Sequence, residues 1–161
     1  MPELRRARPE DIESVAVLWV EMMREHAERD PRFAFTDDAE TAYAEYARGM
    51  LENPDTALFL AEEEGRTIGY ILALVLDNPP VFCLKRYGFI GEMVVNRAHR
   101  RAGVGRMLWE RANRWFKRKG VSVVQLNVSG VNREGKAFWK SVGFEDFLEI
   151  KWLNMKADDS K

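Results

Sequence analysis

Cysteine occurs once in these 161 residues, at Cys83, and histidine twice, at His26 and His99. That excludes an internal disulfide and a cysteine-built zinc site, and it leaves too few ligands for a histidine-rich one, so no metal is expected. Long hydrophobic runs are also lacking: the longest clean one, Tyr70 to Leu76, has seven residues, against the roughly 20 that a bilayer-spanning helix needs. No membrane association is expected. The chain opens Met1-Pro2-Glu3-Leu4-Arg5-Arg6 and meets its charges before any apolar stretch. It therefore does not read as carrying a secretory signal, and a cytoplasmic location is expected. Repeats, low-complexity tracts and linkers are missing too. What is present, 46% hydrophobic and 32% charged residues, suits one globular domain over residues 1–161 with a proper core.

The net charge of -1 conceals an uneven distribution. Arg97, Arg100, Arg101, Arg106, Arg111, Arg114, Lys117, Arg118 and Lys119 stand against the single acid Glu110 in that stretch, while the rest of the chain is acidic. A basic stretch in an acidic protein points to a localised anionic ligand; a nucleic-acid-coating surface would shift the whole domain basic, so no nucleic-acid partner is expected. A solvated helix face accounts for part of the same charges.

The hydrophobic period divides the chain into elements. Ile12, Val15, Ala16, Trp19, Met22, Met23 and His26 recur at helical spacing after Pro9, predicting an amphipathic helix over 9–29 that Asp30-Pro31 stops. Thr36 is placed to cap a second helix with Ala39, Tyr43, Tyr46, Ala47, Met50 and Leu51 on its buried face, ending at Asn53-Pro54. Thr56 to Glu62 and Thr67 to Leu76 read as strands of a hairpin turning at Glu63-Glu64-Gly65-Arg66, and Tyr87 to Val95 as a further strand. A helix then runs from Gly103-Val104-Gly105 to Lys119, with Val104, Leu108, Ala112 and Trp115 on one face and Gly120 as its cap. Val121 to Val128 is predicted as a strand, Asn132 to Val142 as a short helix ended by Gly143, and Phe147 to Met155 as a last strand. This order predicts a mixed α/β (α+β) fold with helices on both faces of a sheet. Trp19, Trp109, Trp115 and Trp152 are assigned to packing, and Cys83 reads as a half-buried small hydrophobe. His26 reads as a packed or boundary residue, and His99 as a surface or packing one.

The segment Arg100-Arg101-Ala102-Gly103-Val104-Gly105-Arg106 lies between a strand and a helix N-terminus. Glycines there let the backbone approach a bulky anion, which the free N–H groups and helix dipole then meet. It is not a P-loop, and position 108 is Leu, so the dinucleotide fingerprint Gly-x-Gly-x-x-Gly is not made. Arg100, Gly103 and Gly105 resemble the acyl-CoA signature of the GNAT N-acetyltransferase superfamily. The strand leading into it, Ile90 to Val95, is similar to the family's fourth strand, although Arg97-Ala98 replaces the common Pro-Glu pair. Asn132 and the run Ala137 to Phe144 resemble the family's Asn and terminal Gly-Phe segment, in order and at matching separations.

The resemblance implies a mixed, mostly antiparallel sheet splayed between its fourth and fifth strands, with acetyl-CoA as cosubstrate in the opening. It implies that backbone groups of Met93, Val94 and Val95 pair with the pantetheine arm, that Arg100, Arg101, Ala102, Gly103, Val104, Gly105 and Arg106 hold the pyrophosphate, and that Asn132 contacts pantetheine or a water. An N-cap role suits Asn132 as well. A homodimer, joined through Phe147 to Met155, is a further implication. The acceptor is expected to be a small-molecule or peptide amine.

Acetyl transfer to an amine needs a group that removes a proton before attack. Glu92 is the candidate: it is a lone carboxylate in an apolar strand, where burial raises its pKa toward neutrality, and a salt-bridging strand-edge role is the alternative. The family commonly has tyrosine at the position of Trp139; an indole cannot deliver a proton, so Trp139 is expected to shape the donor channel without acting as an acid. Two functions stay open: direct acetyl transfer, and an acyl-CoA-binding regulatory or partner-binding module without turnover.

Overall fold

The computed structural model of the chain describes residues 1–158. Its sheet follows the chain: β1 (Glu3–Arg6), β2 (Thr56–Glu63), β3 (Arg66–Asp77), β4 (Arg86–Val95) and β5 (Val124–Leu126) lie side by side in that order. The first four are antiparallel neighbours, and β5 runs parallel to β4. Helices α1 (Ile12–Arg29) and α2 (Ala39–Leu51) pack on one face. The other face carries α3 (Val104–Arg118), with Phe138 and Trp139 of α4 (Arg133–Ser141) joining the same core.

Both faces are covered, so β2 is apolar without interruption from Ala57 to Ala61. Successive side chains of a strand point to opposite faces. Leu58 and Leu60 accordingly join Ile12, Val15, Tyr43 and Ala47 on the α1/α2 side, while Ala57, Phe59 and Ala61 join Leu108, Ala112, Trp115 and Phe116 on the α3 side. The β2–β3 turn places Glu64 and Gly65 at φ 49° and 75°, as a two-residue hairpin with the twist of its flanking strands requires.

One irregularity shapes the site. Leu72 faces Glu92 and Ala73 faces Ile90, leaving Gly91 of β4 without a partner. Such a bulge bends its strand and sharpens the twist. Beyond it β5 no longer follows: the β4–β5 pairing is Gly88–Val124, Phe89–Gln125 and Ile90–Leu126, and ends there. The sheet is thus open between β4 and β5 from Gly91 to Val95, matching the splay that the resemblance implied.

The sequence reading needs correction at several places. Strand β1 was not foreseen because Glu3-Leu4-Arg5-Arg6 has one apolar residue; it is held instead by Arg5, whose guanidinium donates to both oxygens of Asp11 (2.7 and 2.7 Å) and of Glu62 (2.8 and 2.6 Å). Pro9–Asp11 is a separate 3-10 turn before α1. Thr36 does not cap α2 with its side chain; the helix starts at Ala39, to whose N–H Thr36 lends its carbonyl. The strand expected over Val121 to Val128 shrinks to Val124–Leu126, since its partner bends away. No strand forms from Phe147 to Met155. A strand needs a neighbouring ladder, and none flanks this segment. Trp152 is therefore not a packing residue: it is 66% exposed, with the Arg32 guanidinium 5.9 Å from its ring centroid. Tyr46 and Cys83 are exposed as well.

Candidate active site

The loop after β4 is built for close approach to its backbone. Arg101 and Gly103 both take left-handed φ, 66° and 83°, reversing the chain into α3. Gly103 is the N-cap and no side chain caps the helix, so the first N–H groups of α3 are free for an anion. Gly105 matters for a different reason: a Cβ there would meet the Met93 methyl at 3.2 Å and the Phe138 ring at 3.5 Å. The missing side chain leaves room for the Met93 methyl and the Phe138 ring to pack against the first turn of α3. Ala102 and Arg106 are exposed, and Val104 is buried as the first core residue of α3. This uncapped, glycine-bearing turn lies beside the stretch of β4 from Met93 to Val95 that β5 does not pair.

The Arg100 side chain is committed elsewhere. Its Nη1 and Nη2 donate to both oxygens of Glu25 in α1 at 2.9 and 3.0 Å, and its Nε donates to the Val95 carbonyl at 3.0 Å. The pairing holds the Glu25 carboxyl below the usual carboxylate range. Arg100 thus ties loop, strand end and helix together, while no ion pair engages Arg97, Arg101 or Arg106 among the described residues. A cleft of about 340 Å3 runs here between α1 and α4, lined by Glu25, Glu28, Arg29, Arg97, Arg100, Arg101 and Glu134.

Glu92 lies just past the bulge, half-buried and turned to the α1/α2 side. Three aromatic residues from three elements gather on it. Tyr43 of α2 donates its hydroxyl to Oε1, Tyr70 of β3 approaches the same oxygen at 3.3 Å, and the two hydroxyls are 3.4 Å apart. Trp19 of α1 stacks on Tyr43 from behind, with ring centroids 4.7 Å apart. Burial raises the Glu92 pKa to about 7, and the nearby Trp19 indole works in the opposite direction. A carboxylate with that pKa is suited to accepting a proton near neutral pH.

The remaining residues separate into two roles. Asn132 accepts the Gly135 N–H at 3.0 Å and is an N-cap of α4. Trp139 is buried among Trp109, Phe138 and Phe144, in edge-to-face contacts of 4.9–5.9 Å. It is Phe138, one residue earlier, that reaches Gly105 and the opening. His26 packs edge-on against Phe33 and burial lowers its pKa, while His99 approaches Glu63 at 3.3 Å; neither is near Glu92 by any contact of the structure. Sequence reasoning missed Trp19, Tyr43 and Tyr70 as neighbours of Glu92, and Glu25 as the partner of Arg100. A signal existed for Tyr70: a phenol inside an otherwise apolar, fully buried strand needs a partner for its hydroxyl.

The acetyltransferase (GNAT) family model matches residues 20–144. The chain belongs to the GNAT family of acetyltransferases. An uncharacterized N-acetyltransferase of Methanocaldococcus jannaschii is 26% identical over 111 residues, which are 68% of this chain and 49% of that protein. The chain thus spans about half the length of that relative. A predicted acetyltransferase from Clostridium acetobutylicum, solved with acetyl-CoA, superposes with a TM-score of 0.74 at 25% identity over 96% of both chains. An aminoglycoside 6'-N-acetyltransferase of Acinetobacter haemolyticus shares the fold at a TM-score of 0.75 and 19% identity, covering 97% of this chain and 99% of that one. Among the described residues, no helix is long and apolar enough to cross a membrane.

Proposed function

We propose that residues 1–161 act as one domain that moves the acetyl group of acetyl-CoA to a primary amine by direct attack, with Glu92 as the base. The observation that carries this reading is the position of Glu92: a carboxyl with a pKa near 7, on the strand whose edge is left open by the bulge at Gly91. Backbone groups of Met93, Val94 and Val95 on that edge pair with the pantetheine amides, much as an added strand would. The turn from Arg101 to Arg106 takes the pyrophosphate, and Arg97, Arg101 and Arg106 supply cations for the remaining phosphate. Arg100 holds this turn in place through Glu25 and Val95.

Glu92 takes a proton from the acceptor ammonium, the freed nitrogen attacks the thioester carbonyl, and a backbone N–H near Met93 or Val94 stabilises the oxyanion. The departing thiolate is reprotonated from solvent, since a thiol with an ordinary pKa near 8.5 is a tolerable leaving group. The wall of the donor channel is Phe138, with Trp139 supporting it from behind. The acceptor is a small-molecule or peptide amine approaching over α1 and α2. Aminoglycoside acetylation by the fold relative is consistent with small amines, but Asp30, one of the acids near this approach, is occupied by Arg32 at 2.6 Å.

A module that binds acyl-CoA without turnover has one observation in its favour, the absence of a tyrosine hydroxyl at position 139. Thiol release from acetyl-CoA with mixed amine pools decides between the two. Release that depends on the amine supports transfer; CoA binding with no release across a broad panel overturns it.

We also propose a homodimer. Phe147, Leu148, Ile150, Trp152, Leu153 and Met155 project from the segment after α4, each at least 66% exposed. The same chain offers β5 as an edge strand with its outer side unpaired. An apolar arm and an open edge on one chain are satisfied reciprocally by a second copy. Light scattering that returns twice the 18.7 kDa chain mass is the expected result, and a monomer mass overturns it.

A further inference from the structure

Glu92 receives an unusual set of partners. Two phenols converge on a single oxygen, Oε1, from α2 and β3. Both are buried: Tyr70 is fully so, and burial holds its phenol protonated well above the ordinary range, so that it serves only as a donor or as an acceptor from Tyr43. Among the described residues, neither hydroxyl has a further polar partner. Trp19 backs Tyr43 from α1 by stacking on its ring. Among the described residues, no ion pair reaches Glu92. The phenols and the indole are therefore the groups through which the protein sets the orientation and basicity of this carboxylate.

We propose that Tyr43, assisted by Tyr70, is a positioning residue that holds Oε1 of Glu92 and leaves Oε2 as the atom that takes the acceptor's proton. The inference rests on Glu92 being the base. In the step concerned, an N–H bond of the acceptor ammonium breaks, its electron pair stays on nitrogen, and an O–H bond forms at Oε2. A phenol donating to Oε1 favours the ionised carboxylate and opposes the effect of burial. It also stops the carboxyl from rotating, so the proton is received on one side only. The two hydroxyls differ in closeness: Tyr43 is in direct contact with Oε1, whereas Tyr70 stands at 3.3 Å.

The test uses the full chain with Tyr43→Phe and Tyr70→Phe, each checked for a cooperative melt. Two quantities are read: turnover against pH, and the titration of the Glu92 side-chain carboxyl by carbon-13 NMR, which needs no substrate. In Tyr43→Phe the acid limb and the carboxyl titration are expected to move up together by about one pH unit, so turnover below the limb falls roughly tenfold and rejoins the parent protein at alkaline pH. Tyr70→Phe is expected to give a smaller displacement in the same direction. A Tyr43→Phe protein whose Glu92 titrates where it does in the parent, or whose turnover falls by one factor at every pH, overturns the proposal. If Tyr43→Phe does not fold, Tyr70→Phe carries the same two readouts. Failure of the underlying reading is separate: Glu92→Gln with unimpaired turnover removes Glu92 as base, while the NMR titration still reports on the phenols.

Discussion

The two faces of the sheet are equally apolar but are used differently. Under α1 and α2, the packing of Leu58, Leu60, Leu72 and Val94 also encloses three polar groups, Glu92 and the hydroxyls of Tyr43 and Tyr70, which satisfy one another. Under α3, the corresponding layer of Phe59, Ile71, Leu108, Ala112 and Phe116 has no such cluster, and its aromatic rings from Trp109 to Phe144 interlock edge to face. In the function proposed above, the first face holds the side-chain chemistry, and at the end of the second the backbone meets the ligand, through the open edge of β4 and the uncapped turn into α3. Recognition by backbone depends on glycine and left-handed φ. A tuned carboxylate depends on what surrounds it.

Removing the side-chain chemistry while sparing the backbone site is the largest expected break. Glu92→Gln should lower amine-dependent turnover by roughly 10² to 10⁴ near neutral pH, with acetyl-CoA binding unchanged by calorimetry. Raising the pH should recover part of the loss, because more of the acceptor is then already neutral.

The same substitution should stabilise the fold. Glu92 in the folded protein keeps its proton up to about pH 7, whereas the unfolded chain releases it near 4.5. Between those values the folded state binds more protons, so this group makes stability decline as pH rises from about 4.5 to about 7, with the full cost present above 7. That cost is about 3 kcal/mol for a displacement of this size. Urea unfolding at pH 8 should find Glu92→Gln more stable than the parent, and at pH 4 the two should coincide.

On the backbone side, Gly103→Val forces a branched residue to φ 83°. Space is not the obstacle, since nothing lies within 4 Å of a Cβ there; the conformation itself costs roughly 1–2 kcal/mol. A ligand at one hundred times its Kd stabilises a protein by about 2.7 kcal/mol, and this variant should lose that CoA-dependent rise in Tm while remaining folded. The smallest effect is expected from deleting residues 145–161. The described side chains of that segment from 145 to 156 are exposed, so the unfolding free energy of the monomer should change by less than about 0.5 kcal/mol. Only the mass in solution should fall to that of a monomer.

These two faces were also unequally legible. The loop from Arg100 to Arg106 could be read because its requirements are local: a glycine at a left-handed position and an uncapped helix start leave their mark in consecutive residues. Glu92 could be singled out as the one charge in an apolar strand. Its partners could not, because Trp19, Tyr43 and Tyr70 each sit on an ordinary buried stripe of a different element, and helical or strand period says only that they face inward. The ion pair of Arg100 was not legible for the same reason: its partner, Glu25, lies 75 residues away.

The sequence by itself determined the periodic elements and their order. It also determined the glycine turn into α3, because backbone conformation and amphipathic period are properties of neighbouring residues, while the motifs around Arg100 to Gly105 and Asn132 to Phe144 carried the family resemblance. Tertiary structure fixed the residue at which the sheet opens, because the bulge at Gly91 exists only against Leu72 and Ala73 of β3. It also decided that Phe147 to Met155 is no strand within the chain, since extended residues become a strand only when a neighbour completes their hydrogen bonds. And it gathered two phenols and an indole around one carboxylate, raising its pKa to about 7 by a burial that no single segment can supply.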